Sequence, residues 1–230
     1  MRRVLATFFV FVLLCAACGD GAKDDSPGSA DIRFIQASPN ADLVDVFVDD
    51  DKEFQRAVEY LEVRNYRGLS ADNSHLLITE ASSFPLYATE SLSVQDGSRY
   101  TLIALDIRSE MDTLLLLDDP LKPDTNRTGV RLVHAAVGIS DDVDVYITHA
   151  DDTNFDTEPA VTELAFKDST TYLNSDADEY IVTLISSETG AFIAESDRLN
   201  FNGGRVYTLL FVEPLSGSSA VEFQLIEDLT

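Results

Sequence analysis

Ile32-Arg33-Phe34-Ile35-Gln36-Ala37 returns further along the chain as Val130-Arg131-Leu132-Val133-His134-Ala135. Internal similarity governs a fold reading before any single motif does. Working outward, Val44-Asp45-Val46-Phe47-Val48 matches Val143-Asp144-Val145-Tyr146-Ile147. His75-Leu76-Leu77-Ile78-Thr79 matches Tyr180-Ile181-Val182-Thr183-Leu184. Tyr100-Thr101-Leu102-Ile103 matches Tyr207-Thr208-Leu209-Leu210, and Leu117-Asp118-Asp119 matches Ile226-Glu227-Asp228. The offset between copies grows from 98 to 109. Five matches in order, separated by small insertions, read as a duplication.

Each copy reads as strand. Val44, Val46 and Val48 fall on one face of an extended segment, with Asp45, Phe47 and Asp49 on the other. Such runs recur at short intervals between turn residues, such as Ser38-Pro39-Asn40, Asp96-Gly97 and Asn202-Gly203-Gly204. The spacing predicts a sandwich or barrel of about seven strands per copy. Phe54, Ala57, Val58 and Leu61 also fit a helical stripe, but the matching Val161–Phe166 alternates. Copies of one unit share a fold, so both segments are read as strand or irregular structure.

The repeated openings resemble a bacterial domain-of-unknown-function family, numbered 4397. Its members open with a strand, a His-Ala-Ser-Pro-like turn and a Val-Asp-Val-Tyr-like strand, and carry a later Tyr-Thr strand. The first copy shows Gln36-Ala37-Ser38-Pro39, Val44-Asp45-Val46-Phe47 and Tyr100-Thr101. The second shows His134-Ala135, Val143-Asp144-Val145-Tyr146 and Tyr207-Thr208, with Ala136-Val137 where Ser-Pro is usual. The resemblance implies a β-sandwich on secreted or surface proteins, often in tandem. It implies no reaction and transfers no catalytic residue.

The expected organisation is therefore all-β, with two tandem immunoglobulin-like sandwiches behind a leader. Residues 1–17 form a lipoprotein signal peptide, 18–30 a lipidated cysteine and acidic tether, 31–119 the first repeat, 120–129 a linker and 130–230 the second repeat. Arg2 and Arg3 precede the uncharged apolar run Ala6–Ala17. That run is shorter than the roughly 20 residues a membrane-spanning helix needs, so it reads as a secretory leader. It ends Leu14-Cys15-Ala16-Ala17-Cys18-Gly19, which resembles a lipobox. The resemblance implies cleavage before Cys18 and lipidation of its thiol and amino group, a multi-chain anchor that holds stably. Gly19 after the cysteine points to the outer membrane, on its periplasmic or surface face. Cys15 leaves with the leader, so the C-x-x-C spacing of Cys15 and Cys18 carries no redox chemistry.

The chain of 230 residues has a formal charge of −25. Loss of Arg2 and Arg3 takes it to −27. Such a surface repels phosphate backbones and excludes nucleic acid as partner. The expected partners are the membrane, through the lipid on Cys18, and an envelope protein or glycan.

Candidate chemistry is sparse. Arg33 with Asp45, and Arg131 with Asp144, are expected to form ion pairs that pin the first two strands of each copy. His134 is expected to be a satisfied structural histidine. His75 and His149 have no equivalents in the other copy, and three scattered histidines make no zinc site. Asp152, Asn154 and Asp156 have alternate spacing, with Glu163 at the twelfth position, as in a calcium loop. Thr157 at the sixth position and Pro159 at the eighth exclude an EF-hand and leave a loose calcium loop. No nucleophile elbow, phosphate loop or zinc-protease motif occurs. Asn126-Arg127-Thr128 fits a glycosylation sequon and is read as linker. The leading expectation is a non-enzymatic envelope module without a cofactor. The alternatives are a calcium-stabilised surface adhesion protein and a hydrolase with a carboxylate site.

Overall fold

A computed structural model describes residues 28–49, 51–71, 73–81, 85–152, 158–215 and 220–228. The described residues form strands, with no α-helix and one 3-10 turn at Arg108–Glu110. No helix among them is long and apolar enough to cross a membrane. The leader, Cys18 and the tether up to residue 27 lie outside the described residues, and Ser29 and Ala30, expected in the tether, open β1 instead.

In the first half, β1 (Ser29–Gln36), β4 (Arg67–Ser70), β7 (Arg99–Leu105) and β8 (Asp112–Leu117) form one sheet, in the order β4-β1-β7-β8. A second sheet holds β2 (Val44–Val48), β3 (Asp51–Val58), β5 (Asn73–Glu80) and β6 (Leu86–Ser93), in the order β3-β2-β5-β6. In the second half, β9 (Arg127–His134), β12 (Leu173–Asp176), β16 (Val206–Val212) and β17 (Glu222–Glu227) take the order β12-β9-β16-β17. The fourth sheet holds β10 (Val143–His149), β11 (Val161–Leu164), β13 (Asp178–Ser186) and β14 (Phe192–Glu195), with β15 (Leu199–Phe201) also pairing β13. The segment from Asp51 to Val58 is thus strand, as its alternation in the second half predicted. β9 opens at Arg127, so Arg127, Thr128 and Gly129 belong to a sheet and not to the linker.

Residue alternation explains the layering. Ile32, Phe34, Tyr100, Leu102 and Ala104 point to a core shared with Val44, Val46, Leu76 and Ile78. Val130, Leu132, Tyr207, Leu209 and Phe211 do the same against Val143, Val145, Val182 and Leu184. The opposite faces of the same strands carry Ile35, Ile103, Leu105, Val133, Leu210 and Val212, which pack together as a third core between the halves. β1, β7, β9 and β16 are therefore buried on both faces. That is why they read as nearly unbroken apolar runs. The four sheets stack as layers, with the β1 and β9 sheets innermost.

The stack has a polarity. β1 pairs β7 in parallel and β9 pairs β16 in parallel, and Gln224, opposite Leu210 of β16, reaches Leu61 beyond the end of β1, so all four begin at one end. That end also holds Gly28, the connection after Asp118 and the end of β17 at Glu227. The other end carries the loops after β1, β7, β9 and β16. It is tied across the halves by Lys167 to Asp106 (2.8 Å) and Asp112 (3.0 Å) and by Gln224 to the Leu61 carbonyl (2.8 Å).

Candidate functional site

The densest polar cluster lies inside the third core, nearer the end where β1 and β9 begin. Arg33 and Arg131 project from the faces of β1 and β9 that meet the other half, and both are buried. The Arg33 guanidinium donates to Asp228 and, through Nε, to Thr101 Oγ1 at 2.8 Å. Thr101 donates to Asp118 Oδ2 at 2.6 Å. Arg131 donates from Nη2 to Asp118 Oδ1 at 2.7 Å and to Thr208 Oγ1 at 2.8 Å. Thr208 donates to Asp228 Oδ2 at 2.6 Å. The six side chains close a hydrogen-bonded ring that crosses between the halves twice.

Two tyrosines complete the ring. Tyr66 donates to Asp118 Oδ2 and Tyr172 to Asp228 Oδ2, each at 2.7 Å. Their rings lie under guanidinium groups, Arg33 5.2 Å from the Tyr66 centroid and Arg131 4.8 Å from that of Tyr172. Two arginines balance two aspartates, so the cluster buries no net charge. Burial alone would lower the Arg33 pKa, but Asp228 carries it above its ordinary value. Burial and the neighbouring carboxylates hold both phenols well above the usual tyrosine range, Tyr66 beside Asp118 and Tyr172 beside Asp228. The arrangement cross-links the halves; its donors and acceptors are spent on one another.

The expected pairs Arg33–Asp45 and Arg131–Asp144 are not those the fold makes. Strand alternation sends the arginines into the third core and the aspartates to a different sheet. Asp45 Oδ1 instead accepts the Ala57 N–H at 2.8 Å, and Asp144 Oδ1 accepts the Glu163 N–H at 3.0 Å. Ala57 and Glu163 have φ of 47° and 52°, at register shifts between β2 and β3 and between β10 and β11. Each aspartate caps a β-bulge whose backbone is left-handed at a residue other than glycine.

His134 is fully buried. Its Nδ1 accepts the Ala136 N–H at 3.4 Å, while Nε2 has no partner. The ring packs edge-on to Phe166, with centroids 5.8 Å apart. Burial pushes its pKa down to about 4, with Asp142 opposing, so the ring is neutral at physiological pH. The same place in the first half holds Gln36, which bonds both the N–H and the carbonyl of Ser38. His134 is thus structural, as expected, but only half satisfied. His75 bonds Thr89 at the surface, and His149 pairs with Asp178 at 3.2 Å and packs on Tyr180.

Of the candidate calcium ligands, Asn154 and Asp156 lie outside the described residues. Asp152 follows β10, its N–H bonded to the His149 carbonyl, and Glu163 sits at the β11 bulge. No group of three His, Cys, Asp or Glu side chains suited to a metal occurs among the described residues.

The sequence reading missed a cleft of about 760 Å³, roofed by the linker. Its floor and walls include Leu115–Leu117 of β8, Gly129 and Arg131 of β9, Ser169–Tyr172 and Asn174. Asp119, Pro120, Leu121, Lys122, Pro123 and Asp124 supply the roof. The far side of the roof is anchored: the Gly204 N–H bonds the carbonyls of Asp124 (3.1 Å) and Arg127 (2.8 Å). A Cβ on Gly203 would stand 1.9 Å from the Thr125 carbonyl oxygen, so that close approach requires glycine. Inside the cleft the Arg127 guanidinium is held by Asp176 (2.5 Å), Asn174 Oδ1 (3.3 Å) and the Asn174 carbonyl (3.3 Å). Leu117 and Leu121 are 46% and 92% exposed, so the mouth of the cleft is apolar. The one sequence signal was Pro120-Leu121-Lys122-Pro123, whose prolines stiffen the strap and keep it standing off the sheet.

No curated protein matches the chain. Among solved structures, it is similar to the crystal structure of CBMbc (family CBM26) from Eubacterium rectale Amy13K in complex with maltoheptaose. That likeness is 11% identity over 86% of this chain and 96% of the other, with a TM-score of 0.27. At that score it supports no statement about ligand. The model of a family described as a domain of unknown function (DUF4397) matches residues 30–146, just over half of the chain, and the chain belongs to that family.

Proposed function

We propose that this protein is a non-catalytic binding module of the bacterial cell envelope, lipid-anchored at Cys18 and probing its surroundings through the cleft under the linker. The observation that carries the reading is the ring of Arg33, Thr101, Asp118, Arg131, Thr208 and Asp228. It makes two sandwiches one stiff body, so the cleft between β8, β9 and the linker keeps its shape without a ligand. A pre-formed site loses little ordering entropy on binding. The phenols raised furthest, Tyr172, Tyr66 and Tyr60, all hold the two halves together, the first two in the ring and Tyr60 through the Glu213 carbonyl, which favours architecture over acid–base chemistry.

The two halves are tandem copies of one unit. The reading is supported by strand orders that match once β15 is set aside and by matched residues: Arg33 with Arg131, Tyr66 with Tyr172, Thr101 with Thr208 and Asp118 with Asp228. The lipid on Cys18, reached through an acidic tether, holds the module at the outer membrane. Gly28 and the linker occupy the same end of the stack, so the cleft lies toward the anchored end.

Two measurements test the proposal. A palmitate analogue fed to cells should label the wild-type chain and not Cys18→Ser. Hydrogen exchange should then show amides of Thr170–Asn174 more protected in native envelopes than in purified protein. Labelling that persists in Cys18→Ser, or equal exchange in both settings, defeats the reading.

A further inference from the structure

We infer that the cleft under the linker takes a neutral oligosaccharide of about two or three sugar units, a size that suits a site of this volume. The inference rests on the cleft being the recognition site and adds the chemistry of its ligand.

Charge is the first argument. The chain as a whole carries −25, yet the cleft's charged groups, with their ion-pair partners, come within one charge of cancelling. Arg131 is neutralised by Asp118 and Arg127 by Asp176, which leaves Lys122 beside Asp119 and Asp124. A phosphate or carboxylate ligand would find the Arg127 fork already filled by Asp176 and Asn174, and Lys122 flanked by two carboxylates that repel it. A cation would gain little from two solvent-exposed carboxylates that share the strap with Lys122.

Lining chemistry is the second argument. Ser169, Thr170 and Thr171 bring hydroxyls, while Asn174, Asp119 and Asp124 bring planar two-pronged groups. Paired oxygens or an oxygen–nitrogen pair about 2.2 Å apart match two adjacent hydroxyls on a sugar ring, each able to donate and accept. A fatty acyl chain would leave those groups desolvated and unpaired, at about 1–3 kcal/mol each. The apolar pads Leu117, Pro120 and Leu121 suit the C–H face that a pyranose presents between its hydroxyl edges. An amphipathic, uncharged ligand with dense hydroxyls satisfies both sets of groups.

The test uses the purified full chain in detergent, titrated with maltotriose, cellotriose and triacetylchitotriose to about 10 mM while backbone amide resonances are followed; weak sugar sites bind near the millimolar range. At least one trisaccharide should shift amides of Leu115–Leu117 and Thr170–Asn174 in a saturable manner. Asp119→Ala combined with Asn174→Ala should weaken that binding at least tenfold with an unchanged melting temperature. Phe192→Ala, at the far end of the stack, should leave it unaltered. Failure of all three sugars to move the cleft amides, or equal binding by the double variant, overturns the inference. Decanoate and a neutral tripeptide run alongside. Should one of them shift the cleft amides where no sugar does, the ligand class is wrong and the cleft remains the recognition site. Should nothing shift them, and exchange in native envelopes also show no protection, both readings fall.

Discussion

At the residue scale, the joint depends on eight side chains that satisfy one another in a dry place. Removing one member of such a network leaves its partner charged and buried, which costs about 3–5 kcal/mol. Asp228→Ala strands Arg33 in that way and should lower unfolding free energy in urea by about that amount. Replacing both, Arg33→Met with Asp228→Leu, should recover the part owed to the stranded guanidinium, while the Thr208 and Tyr172 hydroxyls still lack the acceptor that Asp228 gave them. A double-mutant cycle should show strong coupling for Arg33 with Asp228 and none for Arg33 with Asp45. His134 adds a pH dependence. Its pKa of about 4 in the fold, against 6.5 unfolded, means that the unfolded chain binds the proton more readily. Stability from the neutral ring is complete above pH 6.5 and drains away as pH falls toward 4, by about 2–3 kcal/mol at pH 4.5. His134→Gln, matching Gln36, should remove that part of the acid sensitivity; an unchanged difference between the variant and wild type across the same range rules the ring out as its source. Both arginines were conspicuous in the sequence, but their partners were not. Aligning Asp119 with Asp228 set the last strand one residue out of step, whereas the ladders place Leu117 with Glu227 and Asp118 with Asp228. β5 and β13 were slipped likewise, since Ile78 and Leu184 hold the same place opposite Val46 and Val145. In a strand, one residue of slip exchanges the two faces, so it hid which aspartate enters the interface.

At the element scale, the motif Val44-Asp45-Val46 and its partner Val143-Asp144-Val145 owe their aspartates to a bulge. The neighbouring strand inserts one extra residue, and Ala57 or Glu163 takes a φ near 50°. That conformation costs an L-residue about 1 kcal/mol, and the carboxylate repays part of it by accepting the amide. Ala57→Gly removes the strain and should raise stability by about 0.5–1 kcal/mol, read as a higher melting temperature. A lower one would show that Ala57's side chain contributes packing the backbone argument omits. Alternation in the sequence was enough to find these strands, because each has one face in a core. It could not show the bulge, whose signature is a conformation rather than a composition. Edge protection was equally silent. β12 lies at the rim of its sheet, where Arg127 bonds the Asn174 carbonyl and Tyr180 the Asp176 carbonyl, so side chains occupy acceptors that another strand could use.

At the scale of the molecule, three cores share two sheets. β1 and β7 contribute one face to the first core and the other to the third, and β9 and β16 do the same for the second and third. The composition and repeat pattern made two sandwiches legible. Their fusion was written only in the apolar residues Ile35, Ile103, Leu105, Val133, Leu210 and Val212 on the second face of four strands, a feature that a single buried sheet would also produce. The cleft was less legible still, since it forms from a strap and two strands far apart in sequence. Shared sheets forbid independent melting: loss of the first core releases β1 and β7, and with them half of the third. Calorimetry should therefore show one transition, with calorimetric and van't Hoff enthalpies equal. Ile103→Asp with Asp228→Ala attacks the third core and its ring while sparing the other two, and should split the trace into two smaller transitions. One undivided transition in that variant would mean that the halves are coupled by something other than the faces they bury against each other.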